Sequence, residues 1–388
     1  MRAPVVRRVA VAGVLAVLVA AVLALVATRP GSAPGSTSSA GANGTPSATD
    51  PSPTLRQLTA DEAGRAFLAD YVDPDGRVVR RDQGDDTVSE GQAYAMLVAA
   101  AVGDRATFGS VWSWTQANLL RPDGTLSWRW ADGAVVDTES ASDADLDAAR
   151  SLVVAGDRFD DQALTDAGTT LGTAILDTET VQTKLGRVLT AGTWATSEPY
   201  AYNPSYASPA AYAVLARASS DQRWSELEKG SRAATTRVLA STDLPPDWAQ
   251  VHADGRVDPM PGAAGRGNDG VRYGYDATRL PLRYAESCTA DDRALAARLA
   301  PALGRFGGSP AARDLGGQPL TSDSSVVAVA AEAAVAATTG EPEAADAALV
   351  RTDHLQQQGP TYYGGAWNAL ARLLLTDPGL GGCPPLAR

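Results

Sequence analysis

Five stretches of the chain set carboxylates beside aromatic, turn and basic residues in ways a plain structural helix does not require. The first, Ser89-Glu90-Gly91-Gln92-Ala93-Tyr94, opens a helical pattern, and the second, Ala141-Ser142-Asp143-Ala144-Asp145-Leu146-Asp147, enters another with three acids. The third covers residues 198–209 and contains Asn203-Pro204-Ser205-Tyr206. The fourth is Leu244-Pro245-Pro246-Asp247-Trp248, and the fifth runs from Tyr273-Gly274-Tyr275-Asp276 to Arg279 and Arg283. Each alone has a structural explanation. Glu90 suits the positive end of a helix dipole, and the three acids suit capping plus a solvated face. A calcium loop starting at Asp143 would need Gly at 148 and Glu at 154; the chain has Ala148 and Val154, which excludes it.

Composition narrows the chemistry. The 388 residues hold 33 basic and 45 acidic side chains, a formal net charge of -12. That balance argues against a nucleic-acid binder, whose affinity rests on Lys and Arg neutralising phosphates. The lysines are Lys184 and Lys229, and neither stands in a glycine-rich phosphate loop. Two histidines, His252 and His354, and two cysteines, Cys288 and Cys383, cannot assemble a Cys/His zinc cluster. Carboxylates are the reagents left in quantity.

The elements that must hold these residues read as helical. Ala/Leu-rich segments alternate with Gly/Pro/Asp-rich loops, and the pattern predicts helices over 55–70, 90–102, 105–119, 143–156, 160–177, 207–218, 221–239, 276–286, 290–304, 323–338, 341–352 and 361–375. Ser89-x-x-Gln92 reads as a capping box. Trp112 and Trp114, on a helix, are expected in the core. Strand-like alternation is confined to residues 125–130 and 135–137, a short hairpin. A dozen helices with no dividing linker predict one all-α domain, a ring of helical hairpins whose loops carry the unusual residues.

Ahead of that domain, Arg2, Arg7 and Arg8 precede an uninterrupted apolar run at residues 9–27. Its length approaches the ~20 residues of a bilayer span, and the arginines place the N-terminus in the cytoplasm. Residues 1–28 are expected to be a signal anchor or a cleaved signal peptide; either makes the rest extracytoplasmic. Residues 29–54, almost entirely Pro, Gly, Ser, Thr and Ala, read as a flexible tether to a domain at 55–388. In that compartment Cys288 and Cys383 can pair, closing a loop of roughly 95 residues, or remain two buried thiols.

Taken together and in order, the five stretches resemble glycoside hydrolase family 8, the inverting endo-β-1,4-glucanases and their relatives. Within it they are similar to the endoglucanases that accompany bacterial cellulose synthesis. Residues 89–96, SEGQAYAM, match the family's SEGQ-x-Y-x-M, and residues 108–115 its phenylalanine–tryptophan stretch. The A-[ST]-D-[AG]-D signature falls on residues 141–145, and Ala148 departs from the Ile or Met the family prefers there. The NPSY, PDW and YDA-x-R elements follow in the family's order, and the resemblance spans about residues 60–375.

The resemblance implies an (α/α)6 barrel, in agreement with the dozen helices, and hydrolysis of cellulose-like β-glucan without metal or cofactor. Glu90 falls on the general acid, expected to be protonated at working pH, and Asp276 on the general base. Inverting hydrolysis keeps two such carboxyls ~6.5–9.5 Å apart, so that a water fits between them and the sugar. Asp143 falls on the residue that binds and distorts the sugar at the cleavage point. Asp145 and Asp247 are acids that could replace Asp276 as base. Tyr94, Trp130, Asp145, Tyr206, Trp248, Tyr275 and Arg279 are the expected substrate contacts. The alternatives are the same fold acting on chitosan, xylan or mixed-linkage glucan, and a non-catalytic glycan-binding scaffold. The expected partners are a polysaccharide, a membrane through the N-terminal segment only, and a cellulose-synthase complex.

Overall fold

Nearly every side chain of the helix Ser89–Val102 (α2) is apolar or small, and nearly all are buried. A helix without a polar face cannot lie on a surface, so other elements must enclose it. The same burial marks Ser142–Phe159 (α4), Pro209–Ser219 (α6), Leu280–Ala285 (α8), Val326–Thr339 (α11) and Tyr362–Thr376 (α13). These six pack in the order α2, α4, α6, α8, α11 and α13, and α13 returns to α2 and closes the ring.

Partly exposed helices precede the first inner helix and alternate with the rest in sequence. They are Ala60–Tyr71 (α1), Arg105–Asn118 (α3), Gln162–Thr178 (α5), Arg223–Leu239 (α7), the pair Ala290–Ala297 (α9) and Ala300–Gly304 (α10), and Pro342–Gln358 (α12). The architecture is the expected (α/α)6 barrel. The helix expected over 290–304 is two helices, because Pro301 has no N–H for the ladder and instead sits in the first turn of α10. Trp112 and Trp114 are in the core.

This computed structural model describes residues 57–263 and 270–380. The apolar run at 9–27, the stretch at 29–54 and Cys383 lie outside the described residues. Among the described residues, no helix is long and apolar enough to cross a membrane. Cys288 is disulfide-bonded.

Strands are more numerous than the single hairpin expected. Thr87–Val88 (β1), Arg129–Ala131 (β2) and Ala134–Asp137 (β3) form one antiparallel sheet, and Thr180–Thr183 (β4) pairs with Gly186–Leu189 (β5). Tyr200–Tyr202 (β6), Trp248–Val251 (β7) and Val257–Met260 (β8) form a third sheet. The β2–β3 hairpin turns on Asp132-Gly133, both at positive φ (52° and 85°), the backbone that a two-residue hairpin loop requires.

The Ser89–Gln92 capping box does not form. Val88 is the cap residue, without a side-chain bond, and Ser89 is already helical. Gln92 points inward instead: Oε1 accepts the Val78 N–H at 2.6 Å and Nε2 donates to Thr115 Oγ1 at 2.9 Å. Thus Gln92 ties the loop before β1 to α3. The capping box that does form opens α1, between Thr59 and Glu62.

Candidate active site

Arg279 ends the 3₁₀ turn Ala277–Arg279 that leads into α8, and its side chain is 2% exposed. Three acids from three stretches meet on its guanidinium. Nη1 donates to Glu90 Oε1 at 2.5 Å and to Asp143 Oδ2 at 2.8 Å, and Nη2 donates to Asp276 Oδ1 at 2.6 Å. Tyr94, one helical turn after Glu90, donates its hydroxyl to the same Oε1 at 2.5 Å. Both bonds to Glu90 therefore fall on one oxygen.

Each acid is held by its own element. Glu90 lies in the first turn of α2, beside Gly91, where a Cβ would stand 2.7 Å from Tyr362 Oη. Only glycine lets α13 bring its first tyrosine this close. Asp143 lies in the first turn of α4, its Oδ1 accepting the Ala144 N–H at 2.9 Å. The Asp276 loop is fixed by Asp247, whose Oδ1 accepts the Gly274 and Ala277 N–H groups at 2.8 and 2.9 Å. Asp247 Oδ2 pairs with Arg272 Nε at 3.2 Å, so both of its oxygens are engaged in anchoring the loop.

The acids at the start of α4 do not lie on the solvated face that capping alone would allow; the structure buries all three and sets Asp143 and Asp147 in a ladder of ion pairs. Asp143, Asp147 and Arg150 meet Arg279, Arg283 and Glu286 in turn, at one constant sequence separation of 136. Equal spacing on both elements means that α4 and the 279–286 segment run parallel, with complementary charges down the barrel interior. Each pair is desolvated, so removing one partner leaves an uncompensated charge.

Burial pushes Asp143 up to about 6; Arg279 opposes this, and Glu90 and Asp147 add to it. Burial pushes Asp276 up to about 7, again against Arg279 and helped by Asp247, Glu90 and Asp143. Asp276 nevertheless keeps 32% of its side chain exposed, which makes it the most open of the three.

The expected contact residues divide. The Arg279 guanidinium lies over the Tyr206 ring at 5.3 Å, and Trp248 meets that ring edge-on at 5.9 Å. Tyr206 is placed by the turn Pro204–Tyr206, where Asn203 Oδ1 accepts the Ser205 N–H at 3.0 Å. Tyr275 is half exposed, with its ring 6.2 Å from that of Tyr363. Trp130 lies on β2, paired with Thr87, with the Arg77 guanidinium 4.9 Å from its ring and the Trp114 ring 5.4 Å away. Tyr94, at 1% exposure, offers no face to a ligand and positions Glu90. Buried Arg279 likewise organises the acids. Asp145 is sealed from solvent, accepting the Leu126 N–H and facing Glu179, so the expected ligand contact there gives way to a buried pair.

Tyr363 was not singled out in the sequence. Its hydroxyl donates to the Tyr275 carbonyl at 3.0 Å, and its ring is 6.4 Å from that of Trp367. The available signal was the aromatic pair Tyr362-Tyr363 opening α13, a place no acid marked.

A family model described as "Glycosyl hydrolases family 8" matches residues 56–376. The chain is 33% identical over 226 residues to a "Probable endoglucanase" of Novacetimonas hansenii, covering 56% of this chain and 64% of that protein. It is 33% identical over 239 residues to an "Endoglucanase" of Salmonella typhi, covering 57% and 60%. The alignments thus span less than two thirds of these relatives. Among solved structures, the endo-beta-1,4-glucanase CMCax from Acetobacter xylinum superposes with a TM-score of 0.68 at 26% identity, covering 81% of this chain and 97% of that one.

Proposed function

The chain belongs to glycosyl hydrolase family 8, and on that premise we propose that it cleaves internal β-1,4 bonds of cellulose-like glucan with inversion. The convergence of Glu90, Asp143 and Asp276 on Arg279 carries this reading. Glu90 is the general acid: its bonds occupy Oε1, which leaves Oε2 to give a proton to the departing glycosidic oxygen. Asp276 is the base: Oδ1 is held by Arg279, and Oδ2 is left to take a proton from the water that attacks the anomeric carbon. Inversion follows from the family 8 resemblance of the motifs that carry Glu90 and Asp276, and it requires room for a water between Asp276 and the sugar. Asp143, buried on the same guanidinium nitrogen as Glu90, bonds sugar hydroxyls and steadies the charge that develops on the ring.

Tyr206, Trp248 and Tyr275 supply faces for sugar rings, with Tyr363 backing Tyr275. Export is part of the proposal: the basic and apolar character of residues 1–28 supports work outside the cytoplasm, with that segment as the membrane contact. A role beside a cellulose synthase rests on the resemblance of the five stretches to the endoglucanases that accompany bacterial cellulose synthesis.

The test is a substrate panel. Purified protein incubated with carboxymethyl cellulose, lichenan, xylan and chitosan should release reducing ends fastest from carboxymethyl cellulose, with an early fall in viscosity. Activity on xylan or chitosan alone would reassign the substrate. Activity on none would end the enzyme reading.

A further inference from the structure

Beneath the proposed site lies a second carboxyl pair that the mechanism does not use. Asp145 and Glu179 are both fully buried and in side-chain hydrogen-bond contact. Asp145 Oδ1 accepts the Leu126 N–H at 2.8 Å, and Glu179 Oε1 accepts the Ser140 hydroxyl at 2.6 Å. The remaining oxygens, Asp145 Oδ2 and Glu179 Oε2, have no protein donor. Two carboxylates are acceptors only and cannot bond each other, whereas one proton between them satisfies both.

The charges around the pair reinforce this. Asp143 faces it from its own helix, and Asp123 faces Glu179 from the loop after α3. Arg121 is taken up by Asp123 at 2.7 Å, by the Thr138 carbonyl and by Thr193 Oγ1 at 3.4 Å. Among the described residues, no cation bonds either carboxyl.

The pair sits where α4 needs a fastening. The helix has no side-chain cap, yet its first turn carries Asp143. On one side of Asp143, Ser142 donates from N to the Ala191 carbonyl at 3.1 Å and from Oγ to that of Thr190 at 2.5 Å. Thr190 in turn donates to the Glu179 carbonyl at 2.8 Å, and Ser140 Oγ accepts the Thr193 N–H at 2.9 Å. On the other side the tie is Asp145 to Glu179.

We propose that Asp145 and Glu179 share a proton between Oδ2 and Oε2, and that this bond holds the first turn of α4 so that Asp143 meets Arg279. Both are then positioning residues, and the inference rests on the role proposed above for Asp143. Burial moves both titrations upward, Glu179 to about 7; the Glu179 charge adds to the rise of Asp145, while the bonds from Ser140 and Asp145 hold Glu179 lower than burial alone would. A raised folded pKa gives stability that is present at low pH and lost as pH rises through the folded value.

Glu179→Gln and Glu179→Met test this. Gln can donate from Nε2 where the proton lies, while Met fills a similar volume without a donor. The Gln variant should keep kcat within about threefold, while the Met variant loses about 10²-fold in kcat with KM nearly unchanged, as a misplaced reacting group does. Infrared difference spectra of wild type against Glu179→Gln should show the loss of a protonated-carboxyl band. The fall in unfolding midpoint between about pH 5 and 8 should be shallower in the Gln variant. Equal kcat in the Gln and Met variants would overturn the positioning role. Parallel midpoint curves with no difference band would overturn the shared proton, even if the Met variant does not fold. Wild-type kcat in Asp143→Asn would instead overturn the reading beneath, and the infrared result would still stand on its own.

Discussion

Asp276→Asn is expected to lower kcat on carboxymethyl cellulose by about 10²–10⁴-fold, the range that a positioned general base contributes. The amide keeps size and can still accept from Arg279, so the loss reports the missing base and not a missing contact. The wild-type pH profile carries the same information. Because burial holds Asp276 up to about 7, kcat/KM should rise through that region and fall as the carboxyl is protonated below it. Stability should move the other way, decreasing as pH rises through the same range, because the folded state holds this proton more tightly than the unfolded chain does. The profile of Asp276→Asn should lack the acidic limb. A variant that keeps wild-type kcat would remove Asp276 from the chemistry, and a limb near 4 would deny the burial effect.

Arg279 carries the second large expectation. Its one guanidinium compensates Glu90, Asp143 and Asp276. Arg279→Met should therefore destabilise the fold by about 3–5 kcal/mol, as removal of one partner from a buried ion pair does. The lower end applies, because Glu90 and Asp276 are partly solvated. Arg279→Lys separates charge from geometry. A single ammonium keeps the positive charge but cannot present one nitrogen to Glu90 and Asp143 and another to Asp276. The Lys variant should recover much of the stability in urea unfolding while its kcat stays at least about tenfold below wild type. Full activity in Arg279→Lys would show that the fork does not set the spacing of the acids.

These expectations rest on residues that differ in how plainly the sequence displays them. The barrel was legible because inner helices such as α2 and α11 are apolar all round and outer ones such as α1 are not. Glu90, Asp143, Asp276 and Arg279 were legible as motifs, and the structure brings them together. Their environments were not. Asp143, Asp145 and Asp147 look like a solvated face because the arginines that bury two of them lie 136 residues away. Gln92 resembles a capping residue locally, yet the backbone groups that it satisfies come from the loop before β1 and from α3. Tyr363 carries no charge and follows no acid, so only the closure of α13 onto α2 places it near Arg279. The short strands escape periodicity because each spans two to four residues, too few for alternation to show. The alternation at 125–130 and 135–137 was their one signal, and it marked the β2–β3 hairpin.

The central claim is that Glu90 and Asp276 work from opposite sides of the scissile bond with a water between them. The anomeric configuration of the first product tests it most directly. Proton NMR of a cello-oligosaccharide digest, recorded before mutarotation, should show the α-anomer of the newly formed reducing end appearing first and the β-anomer growing in afterwards. Initial appearance of the β-anomer would mean retention through a covalent intermediate, and the assignment of Asp276 as a water-activating base would be wrong.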